Sequence, residues 1–537
     1  MEKKDKYFGV MLDMSRNAVM KPQQVKTFAS LIRKMGYNML QLYTEDTYEV
    51  ENEPYFGYMR GRYTQDELKD IVSYCESIGV EVIPCIQTLA HLAQIFRWKP
   101  YGGINDFADI LLVGEDRTYE LIENMFKTLR KCFSTQYVHI GMDEAHMLGL
   151  GKYLEKHGLE NRFEILQKHL SRVVEIAQKY HFKPIMWSDM FFRLANNGEY
   201  YPQEPIFPKE VAQMLPQNLG LVYWDYYHTE QEYMAKMLRA HLQSGNETWF
   251  AGGAWTWTGF ASGNKYTLET MLPAMKAASE CGVENIFITL WGDNGKECSY
   301  YSVLPSLFAI KKAYEGVTDE KVVQKEFKEI VGVDYEAMMS LDIPNYVGGN
   351  ENCQRNIAKR MLYSDPFTGV LDTTVKPGVT DEYKAHAKHL RTYAEGEYAY
   401  LFENAAALCD FLSVKYDLGK RTREAYKMKN ADTMSALIED YKKAEAYLDM
   451  FYEAFRRLWF TENKAQGFEV QDLRLGGLKQ RIAHCRRRLT EYANGESASI
   501  PELDEELLDY FGNGKEYSEE TGAACLSWWR SALVHLV

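Results

Sequence analysis

The stretch YVHIGMDEAH (137–146) opens as a buried strand and closes on two adjacent carboxylates, Asp143 and Glu144. A strand that is apolar throughout, rather than alternating, is what a parallel sheet covered on both faces requires. A parallel barrel gathers the C-terminal tips of its strands on one face, where such a pair can meet other side chains. The pattern recurs on both sides. YFGVMLDM (7–14), YNMLQLYT (37–44) and GVEVIPCIQ (79–87) precede it; KPIMWSDM (183–190), LGLVYWDY (219–226), ETWFAGGAW (247–255) and ENIFITLWG (284–292) follow. Between them lie amphipathic patterns such as TQDELKDIVSYCESIG (64–79) and NRFEILQKHLSRVVEIAQKY (161–180), several ending in Gly just ahead of the next strand. Eight strand–helix units predict an α/β chain with a closed (β/α)8 barrel over residues 1–320. An open doubly wound sheet is the alternative, but no Gly-rich phosphate loop follows the first strand.

Beyond residue 320 the strand signal stops. Tyr441, Ala444, Leu448, Phe451, Phe455 and Leu458 recur at spacings of three and four, the stripe of a helix-bundle core. The sequence therefore predicts a second, all-α domain over 321–537. A length of 537 residues fits two or three domains. The net charge of −14 provides no general attraction for nucleic acid or an anionic membrane surface, so neither is expected as a partner. Nine cysteines, scattered singly without a C-x-x-C pair, argue against a disulfide framework and for a reducing compartment. The start MEKKDKYFGVML has no apolar signal region before the first strand, and no apolar run approaches ~20 residues. The expected location is cytoplasmic.

Reading only the strand tips gives Arg16, then Glu45 and Asp46, His91, Asp143 and Glu144, Trp187 and Asp189, Tyr223 with Trp224 and Asp225, Trp255 and Trp257, and finally Trp291 and Asp293. Acids that accept hydroxyl hydrogen bonds, beside indole rings that cover C–H faces, suit a sugar. Three chemistries compete for the Asp143–Glu144 pair. A metal site would draw on His139 and His146, but their spacing is no established ligand pattern, and no metal or cofactor is expected. Capping the next helix is the structural reading. Glycoside hydrolysis is the third, yet an ordinary retaining enzyme needs a second carboxylate ~5 Å across the bond, and strand seven ends GGAWTWTG with none.

HIGMDE resembles the H-x-G-G-D-E signature of glycoside hydrolase family 20, the β-N-acetylhexosaminidases. LWGD (290–293) resembles that family's L-W-G-E, Tyr223-Trp224-Asp225 its Y-x-D, and DMSR (13–16) its D-x-x-R; LAHLAQ (89–94) and YTED (43–46) are similar to its segments after strands three and two. Met142, Ala90 and Asp293 depart from the pattern, standing for two glycines and a glutamate. GFEVQDLRLGGLKQR (467–481) resembles a segment of short bacterial members with a helical C-terminal domain. The resemblance implies exo-hydrolysis of terminal β-linked N-acetylhexosamines in which the substrate's 2-acetamido oxygen attacks, forming an oxazoline. It makes Glu144 the acid and base, Asp143 the group that orients the acetamido N–H, and Tyr223 the donor to the acetamido oxygen, with Tyr226 as alternative should the strand bulge. Trp187, Trp255 (or Trp257) and Trp291 would wall the sugar; Arg16 and Asp293 would hold the 3- and 4-hydroxyls and Asp225 the 6-hydroxyl, supported by His91 and Glu45. A glycan or small molecule with a terminal β-GlcNAc or β-GalNAc is the implied substrate. A homodimer is also implied, its interface near the aromatic- and Arg-bearing helical domain (Trp459, Arg474, Trp528, Trp529). The rival of another class is a carbohydrate-binding scaffold without catalysis, which would be marked by loss of Asp143, Glu144 or the tyrosine; all are present.

Overall fold

The computed structural model describes residues 6–207 and 209–508; Trp528 and Trp529 lie outside them. Eight parallel strands close a barrel in chain order: β1 (Phe8–Asp13), β2 (Met39–Tyr43), β3 (Glu81–Cys85), β4 (Tyr137–His139), β5 (Lys183–Trp187), β6 (Gly220–Trp224), β7 (Glu247–Gly253) and β8 (Asn285–Leu290). β1 closes the ring by pairing with both β2 and β8, Val10 lying opposite Leu40 on one side and Ile288 on the other. The predicted barrel, and not the open sheet, is therefore the fold.

Almost every strand residue is buried, because one face meets the helices and the other fills the lumen. The lumen is a packed core of Tyr7, Met11, Met39, Tyr43, Ile83, Ile185, Trp187, Val222, Trp249 and Phe287, among others. Alternation along each strand then fixes which neighbours face the helices. The strands end sooner than their apolar runs. β4 stops at His139 although the sequence stays apolar to Met142, and Asp189 already belongs to the helix Asp189–Ala195.

Internal packing divides the chain into two compact units. The first takes in the chain to Ala254, then Thr267–Trp291 and Ser306–Gly332. The second takes in Trp255–Tyr266, Gly292–Pro305 and residues 333–508. The boundary expected at 320/321 thus lies twelve residues later. The helix Glu320–Val331 stays with the first unit, its Phe327 packing on Phe308 and its Glu326 pairing with Lys312. The second unit is helical, led by Ala399–Lys415, Ala431–Glu462 and Phe468–Ala493. Tyr441, Ala444, Leu448, Phe451, Phe455 and Leu458 are all buried there, as their spacing requires. The eight cysteines of the described residues are free, and no described helix is long and apolar enough to cross a membrane.

Candidate active site

After β4 the backbone turns through three left-handed positions: Gly141 (φ +70°), Met142 (φ +71°) and Glu144 (φ +50°). Gly141 is obligatory, since a Cβ there would stand 2.1 Å from Gln87 Oε1 and 2.8 Å from the Ile86 carbonyl. Gln87 organises the turn. Its amide oxygen accepts the Met142 N–H (3.2 Å), and its amide nitrogen donates to Asp143 Oδ1 (2.7 Å) and to the Tyr43 hydroxyl (3.0 Å). Met142 takes a conformation that suits the glycine of the family signature; the side chain is fully buried, which offsets the backbone strain.

The turn sends the two carboxylates into different surroundings. The Asp143 side chain is 12% exposed and forms an ion pair with His91 Nε2 at 3.2 Å, off the line of a hydrogen bond. The Glu144 side chain is 41% exposed, 3.6 Å from His91 Nε2 and 3.8 Å from Arg193. Burial opposes charge on His91, but the Asp143 carboxylate overrides it and carries the imidazole up to about 10. Burial likewise opposes charge on Asp143, yet His91 and the Gln87 hydrogen bond hold its carboxyl below the usual range. Asp143 is therefore ionised opposite an imidazolium. His91, itself left-handed at φ +57°, is fixed by its N–H donating to Asp109 Oδ2 (3.0 Å).

On one side of this pair the Tyr43 hydroxyl donates to Glu45 Oε1 (3.0 Å), which Arg16 approaches at 3.2 Å. Glu45 is buried at φ +43°, and burial raises its pKa against the pull of Arg16. On the other side lies Asp189. Its Oδ2 accepts the Glu144 N–H (3.1 Å) and the Arg193 Nε–H (3.0 Å), while Oδ1 is buried without a partner. Full burial, reinforced by the nearby Asp143 charge, pushes Asp189 up to about 7. The raised carboxyl beside Glu144 is thus Asp189, a strand-tip acid to which the sequence assigns no role.

β6 corrects two expected roles. Val222 belongs to the lumen core, so Trp224 and Tyr226 share the lumen side while Tyr223 and Asp225 take the other. Tyr223 is fully buried against His241, Phe250 and Tyr200, and its hydroxyl donates to Asp225 Oδ2 (2.5 Å). Asp225 also meets the His228 imidazole (2.8 Å) and accepts the N–H groups of Tyr227 and His228. A carboxylate has about four lone-pair sites, and these partners occupy them. Tyr223 is thus not placed to meet an acetamido oxygen, nor Asp225 to hold a hydroxyl; together they secure the β6 tip. Tyr226 stacks on Trp224 (5.3 Å) and shares hydrogen bonds with Trp291 and Thr289.

Trp187 and Trp291 cap the lumen, their rings 6.1 Å apart, with Tyr43 edge-on to Trp291 at 4.8 Å. Trp187 lies 4.4 Å from His139, which burial lowers to about 3 and which accepts the Gly141 N–H at Nδ1. His139 is thus a neutral core residue. The described residues that offer a metal-sized set of donors are instead His91, Asp143 and Glu144, whose atoms lie within 4.8 Å of one another. Within that set His91 Nε2 pairs with Asp143 Oδ2 at 3.2 Å and stands 3.6 Å from Glu144 Oε2. Trp255, Trp257 and Asp293 belong to the second unit. Trp255 stacks on Trp257 at 4.3 Å and meets Tyr266 edge-on at 4.9 Å; Asp293 is exposed at the start of a short 3-10 turn. The tip residues brought together in the first unit are Arg16, Glu45, His91, Asp143, Glu144, Trp187 and Trp291. Sequence reading missed Gln87, Tyr43, Asp109 and Arg193, which act through contacts that only the folded tips create.

A closed parallel barrel with an ion-paired aspartate, an exposed glutamate and capping indoles carries these groups on the face where barrel enzymes hold their active sites. Comparison with known proteins agrees. Residues 6–241 match the family model described as glycosyl hydrolase family 20, catalytic domain, and residues 334–522 that of the glycoside hydrolase 20C C-terminal domain. The chain belongs to glycoside hydrolase family 20. A probable beta-hexosaminidase of Arthroderma benhamiae is 24% identical over 234 residues, 37% of each chain. Human hexosaminidase D is 24% identical over 227 residues, 40% of this chain and 44% of that one. The chain spans less than half the length of either relative. An exo β-N-acetylglucosaminidase from Vibrio harveyi, solved with N-acetylglucosamine, overlaps 63% of this chain and 59% of its own at 15% identity, with a TM-score of 0.47.

Proposed function

We propose that the protein is an exo-β-N-acetylhexosaminidase that works by substrate assistance, removing terminal non-reducing β-linked GlcNAc or GalNAc. The observation that carries this reading is the division of labour at the β4 tip: Asp143 is buried and charge-paired, whereas Glu144, its neighbour, is open to solvent. A nucleophilic carboxylate across the glycosidic bond is lacking at the β7 tip, where GGAWTWTG holds no acid. Relatives named beta-hexosaminidase and hexosaminidase D support the same activity.

In the first step the acetamido carbonyl oxygen bonds to the anomeric carbon as the bond to the leaving oxygen breaks, and Glu144 gives its proton to that oxygen. Asp143 accepts the acetamido N–H and offsets the positive charge that develops on the closing oxazoline; its place opposite His91 keeps it ionised for this. In the second step Glu144, now a base, takes a proton from water as the water oxygen bonds to the anomeric carbon. The ring opens, and the configuration is retained. Tyr226, in place of Tyr223, donates to the acetamido oxygen, with Trp187 and Trp291 walling its methyl group. The family resemblance assigns Arg16 and Asp293 to the 3- and 4-hydroxyls and Trp255 to the sugar face. Hydrolysis of aryl β-GlcNAc, β-GalNAc and plain β-glucoside, run side by side, tests the reading. The N-acetyl sugars should turn over and the glucoside should not; comparable rates on all three would sink it.

A further inference from the structure

The segment GFEVQDLRLGGLKQR (467–481) has no part in the chemistry above, yet two of its residues reach the turn that carries Asp293. On the helix Phe468–Ala493, Gln471 and Arg474 stand three residues apart and so share a face. Both are buried. Gln471 Nε2 donates to the Gly295 carbonyl (3.1 Å). Arg474 donates through one terminal nitrogen to the Asn294 carbonyl (2.7 Å) and Glu297 Oε1 (3.2 Å), and through the other to Asn294 Oδ1 (2.9 Å). From the helix Ile357–Tyr363, the fully buried Lys359 pairs with Glu297 Oε2 (2.7 Å) and lies 3.5 Å from the Asn294 carbonyl.

The turn so gripped has three successive positive φ angles: Asn294 (+48°), Gly295 (+123°) and Lys296 (+54°). Such backbone persists only where its surroundings over-determine it, and it collects at ligand clamps. Gly295, at φ +123°, holds a conformation that L side chains rarely adopt, and a Cβ there would displace the Arg474 and Gln471 side-chain ends, which lie 2.6 and 2.9 Å from it. A guanidinium fork suits this task because it meets three acceptors in one plane, where an ammonium is a single point charge.

We propose that Gln471 and Arg474, with Glu297 and Lys359, are positioning residues that hold the 293–297 turn so that Asp293 presents its carboxylate to a sugar hydroxyl. The proposal rests on the hexosaminidase reading for the identity of the hydroxyl, but the clamp itself does not.

Two measurements on the full chain keep these apart. Amide hydrogen exchange needs no substrate: Arg474→Ala should speed exchange at residues 294–297, and unchanged protection there would overturn the clamp whatever the substrate. Kinetics on an aryl β-GlcNAc then test the role. Arg474→Ala should raise KM and lower kcat/KM by up to about 10²-fold, the scale of a ~1 Å misplacement, and Arg474→Lys should recover part. In an Asp293→Ala background the same change should cost little more, because both act through one carboxylate. Equal fold-losses in the two backgrounds would refute positioning and leave Arg474 a stability residue. Should Arg474→Ala fail to fold, Gln471→Ala, which leaves no charge unpaired, serves for both measurements. A wild-type chain inert on every N-acetylhexosaminide would count against the activity, with the exchange result still standing.

Discussion

Glu144 and Asp189 show how two acids joined by a hydrogen bond divide their work. Glu144 is open to solvent and to a leaving group; Asp189 is closed off and takes the Glu144 N–H. Glu144→Gln should therefore lower turnover ~10²–10⁴-fold on substrates whose leaving group needs a proton. Activated aryl glycosides should lose much less, and equal losses on both would remove Glu144 from the acid role. Asp189 makes a prediction about stability. Its carboxyl rises from the ordinary 3.8 to about 7 in the fold because burial penalises the charge. The folded state thus binds its proton more tightly than the unfolded chain does, and this contribution, present at low pH, is lost as pH rises from about 4 to about 7. Asp189→Asn keeps an acceptor for Glu144 and Arg193 without the charge. Its melting temperature relative to wild type should climb across that window and level off above it. A difference independent of pH would mean that Asp189 is not the buried titrating group.

The β4 tip is an element built for its site rather than for regularity. Four residues around the acids, Glu45, His91, Met142 and Glu144, hold positive φ without being glycine, a concentration of strain typical of functional sites. Gly141→Ala should cost turnover on the order of 10²-fold by pushing Gln87 off Asp143. Activity near the wild-type level in that variant would show that Gln87 does not orient the pair. The strands themselves were legible because continuous apolar runs report burial on both faces. The tips were legible only in composition. Val222 faces the lumen, so alternation turns Tyr223 and Asp225 toward the helices, and a period of two in sequence says which residues share a face but not which face is inside. Gln87 went unread for a different reason: an uncharged amide beside Ile86 gains its meaning only when the β3 and β4 tips meet.

At the scale of the whole molecule, barrel and helical domain were both visible in the sequence, since periodicity changes where one gives way to the other. The boundary was less so, because Glu320–Val331 is an amphipathic helix like those that follow and only its packing on Phe308 assigns it to the first unit. The segments Trp255–Tyr266 and Gly292–Pro305, which follow β7 and β8, also group with the helical unit, a partition that no linear reading provides. We propose that the assembly is a C2 homodimer with the helical domain near its interface. Light scattering at micromolar concentration should give twice the monomer mass; a monomer would refute it. The central claim is that the substrate supplies its own nucleophile, and the most direct measurement varies that nucleophile alone. Across aryl β-glucosaminides bearing N-acetyl, N-fluoroacetyl, N-difluoroacetyl and N-trifluoroacetyl groups, kcat should fall steeply as fluorine drains electron density from the carbonyl oxygen. A flat series would mean that the acetamido group is bound but does not attack, and would contradict the account.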